Sequence, residues 1–111
     1  MTSRDTWKKF ERKVAKKLGG VRTPLSGSHS RHTSGDVIHD RFYVECKYRS
    51  RFAVASIFDE VKKKAKMEGK IPILVLKQRN RRGELVVLDL DDFVRLAVSK
   101  KISKKLKNNE K

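Results

Sequence analysis

Cysteine occurs once in this chain of 111 residues, at Cys46. A single thiol forms no intramolecular disulfide and builds no cysteine-based zinc site. No apolar run approaches the roughly 20 residues that span a bilayer, and the opening Met1-Thr2-Ser3-Arg4-Asp5 holds no apolar signal core. The expectation is a protein of the cytoplasm (of the host cell if the chain is viral) without a membrane partner. Acidic residues are also scarce. Asp and Glu number 13 against 29 Lys and Arg, a net charge of +16. Enrichment in charge for solubility or heat resistance brings both signs together, so this imbalance points instead to a polyanionic partner, nucleic acid first. The tail does not account for it. Six lysines against one glutamate give residues 99–111 a net of +5, and +11 remains on the rest.

At this length the chain is one domain, expected over residues 1–98, with 99–111 as a basic tail that frays. Trp7, Phe10, Val14 and Leu18 recur at helical spacing, which predicts a helix from Asp5 to Leu18 ended by Gly19-Gly20, with Trp7 and Phe10 as core anchors. Residues 21–34, rich in Ser, Gly, Thr, His and Pro, read as a loop. Asp36-Val37-Ile38 and residues 42–48 read as a hairpin turned by His39-Asp40-Arg41. Ser56 with Asp59 and Glu60 marks the start of a second helix, whose stripe is Ile57, Val61 and Ala65 and whose end is Gly69. Residues 71–76 are almost continuously apolar, as in a strand covered on both faces. A basic turn at residues 79–83 leads to another strand at 85–88, and a last helix passes through Phe93, Leu96 and Ala97. The order helix, two strands, helix, two strands, helix predicts an α/β fold, a mixed central sheet flanked by helices.

The chemistry concentrates between Gly35 and Lys47. In a strand through residues 42–48, Val44, Cys46 and Tyr48 face one way and Glu45 and Lys47 the other. Charged side chains on an otherwise apolar strand are costly to bury without a purpose. The hairpin register brings Asp36 close to Glu45, and two carboxylates with the Cys46 backbone carbonyl suffice for Mg²⁺, which keeps several waters of its own. Lys47 would orient or help deprotonate an attacking water beside such an ion. The plain alternative is a surface Glu45–Lys47 ion pair worth about 0–1 kcal/mol, with Asp36 as a turn residue after Gly35. Glu11 lies at the edge of the first helix's apolar stripe, able to lean over the sheet or to pair with Lys8 or Lys16 in solvent. His29, His32 and His39 fall in loops without a scaffold for a metal. Arg31 and His32, Arg49, the helix-two lysines from Lys62 and Lys63 to Lys66, and Arg79, Arg81 and Arg82 would track DNA phosphates, which position a substrate without reading its sequence.

Taken in order, Glu11, Arg22, the loop Arg22-Thr23-Pro24-Leu25-Ser26-Gly27-Ser28, Asp36-Val37-Ile38, Glu45-Cys46-Lys47 and the apolar run from Ile71 to Lys77 resemble the archaeal-type Holliday junction resolvases of the PD-(D/E)xK nuclease superfamily. The resemblance spans residues 7–88. It implies a restriction-endonuclease-like fold, a homodimer, and Mg²⁺-dependent hydrolysis of four-way DNA junctions in recombination and repair, with Mn²⁺ substituting and no small-molecule cofactor. It places Asp36 and Glu45 on the metal, Glu11 assisting metal or water, Lys47 at the nucleophile, Arg22 on the scissile phosphate and Ser26 in a loop needed for cutting. Relaxed nicking of branched or duplex DNA is the alternative enzyme, and a non-catalytic DNA-coating protein the alternative of another class. The sheet edge or the last helix around Phe93 and Leu96 would form the dimer face.

Overall fold

The computed structural model describes residues 4–24 and 33–98; Ser26, Arg31, His32 and the tail 99–111 lie outside them. Helix α1 (Arg4–Leu18) is followed by strands β1 (Val21–Arg22), β2 (Val37–Ile38) and β3 (Phe42–Arg49). Helix α2 (Val54–Glu68), strands β4 (Ile71–Gln78) and β5 (Leu85–Val87), and a short helix α3 (Leu90–Phe93) that widens into a π-helical turn (Val94–Val98) complete the chain. The strands form one mixed sheet in the order β1-β2-β3-β4-β5, parallel only between β3 and β4. A parallel pair needs a crossover, and α2 supplies it.

Each face of the sheet carries one helix. Phe10, Val14 and Ala15 of α1 pack on Val37, Val44, Cys46, Ile73 and Val75. Phe58, Val61 and Ala65 of α2 pack on Tyr43, Leu74 and Leu76. The residues of β4 alternate between these two cores, which is why its sequence is apolar at successive positions. Backbone geometry closes α1: Gly19 takes φ +75, a left-handed conformation that costs glycine little, and Gly20 N–H returns to Ala15 O.

Several expectations need correction. The segment read as a loop contains β1, too short and too polar to announce itself, since it is defined by pairing Val21 with Ile38 and Arg22 with Val37. Helix α2 starts two residues before Ser56, with Ala53 at the N-cap and no side-chain cap bond, so Asp59 and Glu60 are not first-turn acids. The last helix is not a plain α-helix: its final turn is a π-turn. Asp89 sits at the N-cap of α3 but makes no cap bond with its carboxylate, which pairs with Lys62 at 3.0 Å. Trp7 is 47% exposed, because the buried stripe of α1 begins at Phe10. His39 is tied into the fold through both ring nitrogens. Its Nδ1 accepts from Arg41 N–H and Phe42 N–H, and its Nε2 lies 3.0 Å from Leu18 O, so it locks the β2–β3 turn to the end of α1.

Candidate active site

The site forms where β2 stops and β3 continues. Beside the pairing of Val37 with Val44, Asp36 N–H donates to Val44 O at 2.8 Å. Among the described residues no strand pairs with the middle of β3 on that side. The Asp36 carboxylate fills the gap, with Oδ2 accepting Cys46 N–H at 2.7 Å. A strand residue's N–H and C=O point toward the same side, so the Cys46 carbonyl opens into this gap as well. Gly35 makes the approach possible. A Cβ there would stand 2.8 Å from Val44 O, closer than side chains tolerate.

Glu11 and Lys47 act electrostatically on Asp36, and Asp36 in turn on Glu45. Glu11, 7% exposed, leans from α1 over the sheet and reaches hydrogen-bonding range of the Asp36 carboxyl. Its partner is neither Lys8 nor Lys16: Arg22 Nε donates to Glu11 Oε1 at 2.8 Å. From the opposite face, Glu45 and Lys47 follow β3's alternation and pair at 3.3 Å. Burial, with the neighbouring Glu11 carboxylate, pushes the Asp36 carboxyl up to about 6, although Cys46 N–H and Lys47 pull the other way. Burial and Asp36 raise Glu45 too, against the pull of Lys47 and Lys64. Cys46 is fully buried in the α1-side core and its thiol is shifted upward by burial, so its side chain offers no nucleophile.

Beside Glu45 and Lys47 opens a cleft of about 170 Å³ between β3 and α2, walled by Arg49, Glu60 and Lys64 over Ile57 and Val61. Of the helix-two lysines, Lys64 is the one lining it. Lys62 pairs with Asp89 and Lys63 with Glu60 at 3.3 Å on the exposed surface of α2, and neither lysine lines the cleft. The spacing held the signal: Lys64 follows Ile57 and Val61 by seven and three residues, at the exposed edge of the inward stripe. Arg79, Arg81 and Arg82 occupy the exposed β4–β5 turn, which adjoins β3's end through Arg79 N–H to Arg49 O.

Across residues 2–111 the chain matches the model of the family described as "Phage putative PDDEXK endonuclease". It belongs to that family. No curated protein and no solved structure matches it. A PDDEXK endonuclease of this family is a nuclease, and the mixed sheet with helices on both faces is compatible with the restriction-endonuclease-like fold. The family description names no substrate structure and no ion. Among the described residues no group of three or more His, Cys, Asp and Glu side chains forms a ready-made metal cage. The donor chemistry nevertheless fits a hard divalent cation. Asp36 and Glu45 are oxygen donors, Asp36 raised by burial and Glu11, and Glu45 by burial and Asp36; the Cys46 carbonyl faces the gap beside Asp36, and such an ion needs only this many protein oxygens besides water. No helix among the described residues is long and apolar enough to cross a membrane.

Proposed function

We propose that this PDDEXK endonuclease is a Mg²⁺-dependent endodeoxyribonuclease that nicks four-way DNA junctions symmetrically as a homodimer. The observation that carries the nuclease chemistry is the Asp36 carboxylate in the β2–β3 gap, within electrostatic influence of Glu11 and Lys47 and itself acting on Glu45, in a strongly basic chain. The ordered resemblance from Glu11 and Arg22 through Lys47 supports the choice of junctions.

Asp36, Glu45 and the Cys46 carbonyl would hold the ion, with Glu11 beside them. When bound, a divalent cation offsets charge on the phosphate and favours ionisation of a coordinated water. Lys47, held by Glu45, is placed to donate a hydrogen bond to the attacking water or to a phosphate oxygen. Arg22 keeps Glu11 directed at Asp36, and its terminal N–H groups would meet the scissile phosphate. Lys64 and Arg49 line the cleft through which the adjoining strand would run, and the Arg79–Arg82 turn extends the basic track. These contacts select shape and charge, not base identity.

A homodimer presents two equivalent sites to a two-fold junction. Leu85 and Val86 on the end strand β5, together with Leu90, Phe93 and Val94, are exposed apolar groups that support this pairing. The test compares a labelled synthetic four-way junction with linear duplex of the same sequence, with and without Mg²⁺, for wild type and Lys47→Ala. Paired nicks in the junction alone, dependent on Mg²⁺ and on Lys47, are expected. Equal cutting of the duplex refutes junction selectivity, and binding without any cleavage refutes the nuclease.

A further inference from the structure

The last residue of α2, Glu68, does something that a solvated helix-end carboxylate does not. Its Oε1 accepts the Thr33 hydroxyl at 2.6 Å, and its Oε2 accepts Ser34 N–H at 2.9 Å and the Ser34 hydroxyl at 3.1 Å. Burial alone would raise Glu68, but these three donors outweigh it and hold the carboxyl below its ordinary value. The bonded segment leads straight into Asp36. Thr33 Oγ1 also accepts Gly35 N–H at 3.1 Å, and Ser34 Oγ is 2.9 Å from the hydroxyl of the fully buried Tyr43. On the far side, Thr23 Oγ1 donates to Gly35 O and Thr23 N–H to Asp36 O, both at 2.9 Å. Residues 33–36 are thus held between α2 and the residue after β1: Thr33 and Ser34 through side chains to Glu68, and Asp36 through backbone bonds to Thr23 and Val44, since β2 itself has only two residues.

We propose that Glu68 is a positioning residue for the metal-binding site: from the end of α2 it fixes the 33–36 segment so that the Asp36 carboxylate is already in place for a divalent cation. This rests on the metal-dependent reading above. A two-residue strand cannot hold Asp36 by ladder bonds alone. The nearest anchor on the α2 side is this carboxylate, with Tyr43 as a rigid second post. Groups that orient a metal ligand without touching the metal typically carry a 10–100-fold share of metal affinity or activity. Tyr43 suits the role. Burial pushes its hydroxyl up to about 12, so it stays protonated at any working pH.

The experiment is Mn²⁺ titration by calorimetry of DNA-free wild type, Glu68→Gln, Glu68→Ala, Tyr43→Phe and Glu84→Gln, alongside the Mg²⁺ dependence of junction cleavage. Glu68→Ala is expected to weaken Mn²⁺ binding about 10–100-fold and to raise half-saturating Mg²⁺ by the same factor, with the maximal rate recovered at high Mg²⁺. Glu68→Gln, which keeps an acceptor oxygen, and Tyr43→Phe, which removes one outer bond, should show smaller losses. Glu84→Gln, whose carboxylate only ties down Lys13 and Lys17, should bind Mn²⁺ as wild type does. Unchanged Mn²⁺ affinity in folded Glu68→Ala overturns the proposal, as does a lowered maximal rate with unchanged metal dependence. If Glu68→Ala does not fold, Glu68→Gln and Tyr43→Phe decide it by the same criterion. Failure of wild type itself to bind Mn²⁺ would instead sink the metal-dependent function.

Discussion

Replacing Asp36 with asparagine should make the metal-free protein more stable while abolishing cleavage. In the folded chain this carboxyl titrates at about 6 in place of its ordinary 3.8, because it is taken out of water beside Glu11. A rise of that size corresponds to about 3 kcal/mol. The sign follows from linkage. The folded state binds the proton more tightly, so stability is highest below the ordinary carboxylate range and is lost as pH rises to about 6, remaining lost above it. An asparagine side chain carries no charge and escapes that loss. Its amide oxygen can still accept Cys46 N–H, but a neutral acceptor is weaker by about 1 kcal/mol. A net gain of about 2 kcal/mol at pH 8 remains, which for a domain of this size is a melting temperature higher by about 10 °C.

Thermal unfolding in chelator at pH 4 and pH 8 measures it. The advantage of Asp36→Asn should be small or absent at pH 4, grow through pH 6 and then level off. Adding Mg²⁺ or Mn²⁺ should stabilise wild type by mass action and leave the variant unmoved, narrowing or reversing the gap. A variant less stable than wild type at pH 8 in chelator, or a difference that does not change with pH, would refute the claim that Asp36 is held charged against its surroundings.

Lys47→Ala should slow single-turnover cleavage by about 10²–10⁴-fold while junction affinity in a gel shift changes little; parallel losses in both would make Lys47 a binding residue only. Arg22→Ala leaves Glu11 buried without its 2.8 Å partner, which should cost about 1–3 kcal/mol in denaturant unfolding, and adding Glu11→Gln should restore most of it; additive effects would show that the pair is not coupled. Phe10→Ala, in the α1-side core, should cost about 3–5 kcal/mol, whereas Trp7→Ala, half exposed, should cost far less, reversing what side-chain size alone suggests. DNA affinity should fall about 10³–10⁵-fold between 50 and 200 mM salt if about 6–10 phosphates are contacted; a flat dependence would remove nucleic acid as the partner.

The legible parts of the fold are those written in apolar periodicity. Helix α1's buried face, the alternation of β3 and the doubly covered β4 each follow from local pattern. Elements made by pairing escaped: β1 exists because Arg22 meets Val37, and nothing in residues 21–22 alone says so. Helix α2 begins without a side-chain cap, so the Ser56-Asp59-Glu60 signature misplaced its start. The same division runs through the site. Asp36, Glu45 and Lys47 could be placed from one hairpin and a two-residue period, because they are close in sequence. Glu11 needed the packing of α1 across the sheet, and Glu68 is 32 positions from Asp36 with no motif linking them.

That division has a physical cause. A carboxylate that is to bind a metal must be held in a geometry that its own electrostatics oppose, and burial raises both Asp36 and Glu45. Local sequence can deliver such groups to one place, but only restraints from elsewhere in the fold keep them there before the cation arrives. Here the restraints are the Cys46 N–H, the glycine that lets the chain pass Val44 O, the Arg22–Glu11 pair and the Glu68 bonds to residues 33–34. Each is weak alone and joins elements far apart in sequence. A short β2 is therefore consistent with function. A longer ladder beside β3 would occupy the Cys46 backbone groups and close the gap that the Asp36 carboxylate fills.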